Sequence, residues 1–102
     1  MNKLIQCDLD NVLHVMEKYD GKVNGKPVEG AVKAMHKLVD TGFEVEVFTA
    51  RDTSEFEKIY KWLDKWGFPL MDITNVKRPA LCYIDDRGLR FTNWNDMLRY
   101  FV

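Results

Sequence analysis

The chain is poor in the features that most often announce a partner or a compartment. It holds two cysteines, Cys7 and Cys82, and they form no CxxC or zinc-type spacing. A disulfide framework and a cysteine metal site are therefore disfavoured, and both read as small reduced residues of the core. Neither sign of charge is in excess: Lys plus Arg number 15 against 16 Asp plus Glu, a net charge of −1. Broad binding to nucleic acid or to an anionic membrane is not indicated, although a local patch stays open. No apolar run approaches the ~20 residues of a membrane span, and no signal peptide opens the chain, so a cytoplasmic protein with no membrane partner is expected. Repeats, low-complexity tracts and long linkers are lacking too. With 102 residues, the chain has material for one core, and a single domain over 1–102 is expected.

What is present is an alternation of strand-like and helix-like segments. "KLIQC" (3–7) is an apolar run of strand length. A polar stretch over 14–29 comes next, carrying Asp20-Gly21 and Asn24-Gly25; both are hairpin-turn signals, and either one can close a small flap. "AVKAMHKLVDTG" (31–42) puts Ala31, Met35, Leu38 and Val39 on one helical face and stops at glycine. "FEVEVFTA" (43–50) alternates as a strand does. "DTSEFEKIYKWLDKWG" (52–67) reads as a helix opened by a Ser54–Glu57 capping box, with Phe56, Ile59, Tyr60, Leu63 and Trp66 inward. Short strands are expected at "LMDIT" (70–74), "ALCYI" (80–84) and "LRF" (89–91), then a last helix over 93–102 with Met97, Leu98 and Phe101 inward. This order predicts a three-layer α/β/α, Rossmann-like domain with a mostly parallel sheet and helices on both faces.

In such sheets ligands bind outside the carboxyl ends of the strands. Collected from those ends are Asp8 and Asp10, Thr49-Ala50-Arg51, and Asp85-Asp86-Arg87, with Lys77 in the connection before the last group. Singly each is weak. Asp-x-Asp serves turns and caps as readily as chemistry in a chain with ten aspartates, a Thr at a strand end commonly caps a turn, and a lone lysine is commonly a surface residue. Asp85-Asp86 is stronger, because ionised groups ending an apolar strand are costly unless paired or used. Together they describe a phosphoryl site. Crowded carboxylates call for a cation, and hard oxygen ligands in small number favour Mg2+, which also binds phosphate. Lysine and a hydroxyl suit the charge on phosphoryl oxygens. One aspartate can attack phosphorus, and a second can transfer the proton.

These residues resemble the motifs of the haloacid-dehalogenase-like (HAD) phosphohydrolases. "CDLDNVL" is similar to their first motif, "VEVFTA" to the second, Lys77 in "VKRPA" to the third and "CYIDD" to the fourth, a likeness running from about Lys3 to Trp94. The resemblance implies Asp8 as nucleophile and metal ligand. It implies Asp10 as general acid/base, with its backbone carbonyl on Mg2+. Thr49 would bond the phosphoryl group, assisted by the backbone N–H groups of Leu9 and Ala50. Lys77 would neutralise charge, Asp85 would complete the metal site, and Asp86 would ligate directly or through water. Two positions depart from the family. Asn11 stands where many relatives have glycine, a place asparagine tolerates. The third motif reads Lys77-Arg78-Pro79 rather than Lys-Pro, so Arg78 competes with Lys77 for that role.

Neither gap between motifs has room for a cap domain, so the resemblance is to a minimal capless member, distantly similar to the phosphatase domain of polynucleotide kinases. It implies a phosphomonoesterase acting on a nucleotide, a nucleic-acid end or another bulky phosphoester. The alternatives are a phosphotransferase of the same fold and a non-catalytic receiver-like or binding module; the receiver order of motifs does not fit. Lys18, Lys22 and Lys26 offer the flap a basic face for substrate, against a solvated hairpin balanced by Glu17, Asp20 and Glu29. His14 is read as a substrate contact or a packing residue, His36 as structural, and Trp62 as packing rather than base stacking. Arg51 is expected to contact substrate or to pair with Asp86. The apolar "LRYFV" terminus either finishes the core or lies against a partner, a homo-oligomer among the choices.

Overall fold

A computed structural model describes residues 2–17 and 20–102; Lys18 of the expected basic flap lies outside them. The elements run β1 (Leu4–Asp8), α1 (Ala31–Thr41), β2 (Glu44–Phe48), a 3-10 turn (Thr53–Glu55), α2 (Phe56–Lys65), β3 (Asp72–Thr74), β4 (Cys82–Ile84) and α3 (Trp94–Leu98). The four strands are all parallel and lie in the order β3-β2-β1-β4. The chain thus steps outward from β1 to β2 to β3, then returns to the other side of β1. That reversal between β1 and β4 is the switch point at which open α/β sheets hold ligands. Register brings Asp8, Phe48 and Thr74 level at the carboxyl edge.

Both long helices pack on one face of the sheet. Cys7, Val45, Val47 and Ile73 share that face and form a buried cluster with Ala31 and Met35 of α1 and with Ile59, Trp62 and Leu63 of α2. Two steps of one handedness in one direction require this placement. The other face carries buried Gln6 and Glu46 instead of a matching helical layer. Glu46 accepts from Gln6 Nε2 (2.7 Å) and from Arg78 Nε and Nη2 (3.1 and 2.8 Å), and Gln6 Nε2 also reaches the Val76 carbonyl. A buried carboxylate is tolerable when so bonded.

Several expectations are met and several corrected. Helix α1 ends where glycine predicts: Gly42 takes φ 104°, its N–H reaches the Val39 carbonyl, and Phe43 N–H reaches that of Leu38. The helical segment after β2 is opened by Asp52, not Ser54: the Asp52 carboxylate accepts the Ser54 N–H at 3.0 Å, capping one register earlier. The apolar stripe of α2 turns toward Trp62, leaving Tyr60 and Trp66 partly exposed. The chain bends at Asp20-Gly21, where the Asp20 side chain accepts the Lys22 N–H and Gly21 takes φ 76°, and bends again at Gly25. Segment 89–91 forms no strand. In the last helix only Met97 is buried; Leu98 and Phe101 are exposed. Cys7 is a core residue, its thiol pushed up to about 12 by burial and then by the nearby Asp8 charge, but Cys82 is exposed because β4 is an edge strand. His36 is structural, its Nε2 lying 2.7 Å from the Gly67 carbonyl. Among the described residues no helix is long and apolar enough to cross a membrane.

Candidate active site

The carboxyl edge of β1 and β2 opens into a cleft of about 380 Å³. Asp8, Leu9, Asp10, Thr49, Ala50, Arg51 and Asp86 line it, joined by Asn11, Met16, Phe48 and Arg87. Lys77, Arg78 and Asp85 are not among its walls.

The turn after β1 shapes the site. Leu13 and His14 both donate N–H to the Leu9 carbonyl, and Asn11 N–H donates to that of His14 at 2.7 Å. Asn11 takes φ 65°, the left-handed conformation that asparagine accepts more readily than most residues. This reversal brings His14 back beside Asp10. His14 Nδ1 lies 2.9 Å from Asp10 Oδ1, and its Nε2 accepts the Gly25 N–H at 2.9 Å. An accepting Nε2 assigns the proton to Nδ1, so the ring donates to Asp10.

Arg51, buried at the end of β2, grips the same carboxylate. Its Nε donates to Asp10 Oδ2 (3.0 Å) and its Nη2 to Oδ1 (3.1 Å), while Nη1 donates to Glu55 (3.0 Å) and Nη2 also to the Lys22 carbonyl in the flap (3.1 Å). The expected pairing of Arg51 with Asp86 is therefore corrected: Asp10 and Glu55 take it, and Asp86 has the exposed Arg87 at 3.7 Å. Burial acts to raise the Asp10 carboxyl, but the bonds from Arg51 and His14 outweigh it and hold it below its ordinary value.

Asp8 is the opposite case. Burial raises its carboxyl, the charges of Asp85 and Asp86 raise it further, and Lys77 acts the other way. Lys77 Nζ stands 4.6 Å from the Tyr83 ring centroid and 5.9 Å from that of Phe48. Of the two basic residues competing for the third-motif role, Arg78 is corrected as a cleft residue, because Glu46 holds its guanidinium on the sheet face. Thr49 is buried; its N–H donates to the Thr74 carbonyl and its Oγ1 accepts the Arg51 N–H at 3.1 Å. Asp85 turns its Oδ1 onto the backbone N–H groups of Gly88 and Arg87, in that order the causes that hold its carboxyl low. It caps its own loop rather than facing the cleft.

The Asp10–Arg51–His14 arrangement escaped the sequence reading. Its signals were spacings of four, Asp10 to His14 and Arg51 to Glu55, which bring side chains together only once the backbone coils there. Trp62 closes the flap by packing, as expected: its indole N–H donates to the Gly25 carbonyl at 2.9 Å, and its ring meets His14 edge-on at 5.1 Å.

For a metal, the donor chemistry is hard oxygen. Among the described residues no three His, Cys, Asp or Glu side chains converge as a ready-made cage. Mg2+ does not need one, since it is commonly held by one or two carboxylates, waters and substrate phosphate. Burial first, and then the charges of Asp85 and Asp86, push Asp8 upward, and a bound cation would offset both. In comparison with known proteins, no family model, no curated protein and no solved structure matches the chain.

Proposed function

We propose that this chain is a Mg2+-dependent phosphomonoesterase, a small capless HAD-like enzyme working through an aspartyl-phosphate on Asp8. The observation that carries the proposal is the cleft itself: Asp8, Asp10, Thr49 and Asp86, collected from separate strand ends, line one cavity at the switch point of a parallel sheet. Asp8 would attack phosphorus, forming the Oδ–P bond as the ester P–O bond breaks. Water would then cleave the aspartyl-phosphate, giving its proton to Asp10. The downward hold keeps Asp10 ionised and so free to accept that proton, while making it a weaker base than an ordinary carboxylate. Protonating the leaving group is the harder half for so acidic a group, which favours substrates with good leaving groups. Thr49 would donate its hydroxyl proton to a phosphoryl oxygen, with the Ala50 N–H beside it; the expected help from the Leu9 N–H is corrected, because that group donates to the Phe48 carbonyl at 3.1 Å. Mg2+ would be held by Asp8, the Asp10 carbonyl and Asp86, with Asp85 behind, and would supply charge neutralisation for the phosphoryl oxygens. Neither gap between the motifs has room for a cap domain, which supports bulky phosphoesters such as a nucleotide or a nucleic-acid end.

The test is phosphate release from an aryl phosphate, with Mg2+ and with chelator, for the native chain and Asp8→Asn. Turnover is expected to need Mg2+ and to fall to background in Asp8→Asn. Activity that survives the substitution, or that ignores chelator, would overturn the mechanism. A panel of phosphometabolites and 3′-phosphate oligonucleotides then sorts the substrate.

A further inference from the structure

The last segment of the chain is built unlike the rest. Among the described residues, the hydrogen bonds, ion pairs and ring contacts of residues 86–102 are made with one another and with Asp85. Its one buried side chain is Met97. The Cα radius of gyration, 14.8 Å, exceeds the ~13 Å of a compact domain of about 100 residues, in keeping with a segment that shares few contacts with the body.

The segment also holds seven of the fifteen exposed large apolar side chains among the described residues. Trp94, Leu98 and Phe101 are 71%, 51% and 78% exposed. They fall at i, i+4 and i+7, the spacing of one helical seam, and the Phe101 N–H to Leu98 carbonyl bond carries the helical turn past α3. Phe91 extends the seam, its ring 5.5 Å from that of Trp94. A surface helix normally turns such a stripe to its own core; this one faces solvent. With ~200 Å² for a whole aromatic side chain, the exposed parts of Phe91, Trp94 and Phe101 come to roughly 400 Å². Leu89, Leu98 and Val102 extend this toward the ~800 Å² that each partner gives to a stable interface, beyond what monomers usually leave exposed.

We propose that this face is the interface of a homodimer, with α3 packed antiparallel on α3 of a second copy about a two-fold axis. Charge favours the same chain as the occupant. From Asp85 onward the segment balances Asp85, Asp86 and Asp96 against Arg87, Arg90 and Arg99, so two copies meet without net repulsion. A two-fold axis between Met97 and Leu98 sets Trp94 against Phe101 of the partner subunit, the self-complementary pattern an isologous interface demands. The proposal stands apart from the phosphatase reading.

Sedimentation velocity of the full chain across a concentration series tests it. The native chain is expected to pass from 12.0 kDa to twice that mass in the micromolar range. Trp94→Ala is expected to weaken the dimer by about tenfold or more, and Phe101→Glu to leave a monomer with unchanged far-UV circular dichroism. Leu98→Ala, a milder change at the axis, guards against a misfolded charge variant and is also expected to weaken association. A native chain that stays at 12.0 kDa, or a dimer indifferent to all three substitutions, overturns the proposal. So does a monomer whose tryptophan fluorescence shifts blue on phospholipid vesicles, which would assign the face to lipid.

Discussion

The two ends of the candidate site are held in opposite ways. On the side of β1 and β2, Asp10 is gripped by Arg51 and His14, Arg51 also bonds the flap backbone, and Gly25 is pinned between His14 and Trp62. All but the His14–Asp10 bond join residues 11 or more apart in sequence, through the buried side chains of Arg51, His14 and Trp62. On the side of β4, Asp85 caps its own loop, the Arg87 guanidinium reaches Asp86, and the chain from Gly88 onward is exposed but for Met97 and the half-buried Asp96. The cleft thus joins a preorganised wall to a locally supported one. The first wall carries Asp8, Asp10 and Thr49, the groups to which the proposed function gives the reacting atoms. The other carries Asp86, whose position depends on a short loop. On that proposal, the reacting geometry is set by folding and the metal side is open to adjustment by ligand or subunit contact.

The sharpest way to break this contrast is at the two arginines. Arg51→Ala removes a buried guanidinium and leaves Asp10 and Glu55 without it; breaking a buried pair of this kind costs about 3 kcal/mol. Arg51→Lys is expected to recover only part, since one ammonium cannot reproduce the fork that spans both Asp10 oxygens. Arg87→Ala, with a side chain 83% exposed, is expected to leave stability within ~0.5 kcal/mol. Urea unfolding of the three variants measures this. Equal losses at Arg51 and Arg87 would dissolve the distinction.

Glycine offers a second, smaller comparison. A Cβ at Gly25 would stand 2.2 Å from the Val15 carbonyl oxygen and 2.8 Å from His14 Nε2. The first of these is backbone, so the flap must move, and Gly25→Ala is expected to cost about 2 kcal/mol and to lower turnover through His14 and Asp10. A Cβ at Gly88 would stand 2.7 Å from Asp85 Oδ1, but that is the free end of a side chain, which can rotate aside. Gly88→Ala is expected to cost under ~1 kcal/mol and to act on Mg2+ dependence rather than on stability. Thermal melts with and without Mg2+ separate the two.

The same division decides what was legible in the sequence. Residues that act where a strand ends are readable, because a strand delivers its next residues to the sheet edge whatever else happens. Asp8, Thr49 and Asp86 were found that way, as were α1 with its glycine stop and the alternation of β2. Contacts made by chain reversal were not readable. Nothing in "LDNVLH" announces that Asn11 turns left-handed and returns His14 to Asp10, nor that Arg51 would prefer Asp10 to Asp86. Strand order was hidden too, so Cys82, apolar enough for a core, came to lie on an edge strand. The last helix misled for a related reason. Its apolar period predicts burial, and periodicity cannot say whether the covering surface belongs to the same chain.

The smallest expected effect concerns Asp8 and Asp10 as a pair of opposite sign. The folded Asp10 carboxyl sits below its unfolded value, so its bonds contribute stability in full above the unfolded value and lose it as pH falls through the folded one. The folded Asp8 carboxyl sits above its unfolded value, first from burial and then from Asp85 and Asp86. Its ionisation therefore costs stability as pH rises through the folded value, and that cost is absent below the unfolded one. In chelator at neutral pH, Asp8→Asn is expected to be more stable than the native chain by up to about 1 kcal/mol, the range in which relieving a functional strain usually falls and small because the group is part-exposed. Asp10→Asn is expected to be less stable, and both differences should shrink as the pH drops through the carboxylate range. Adding Mg2+ should raise the melting temperature of the native chain more than that of Asp8→Asn, which keeps Asp86 but loses one of the two carboxylates proposed to hold the ion. A less stable Asp8→Asn at neutral pH would mean that the carboxylate already has a partner, and that the crowding at the end of β1 is not what calls for a cation.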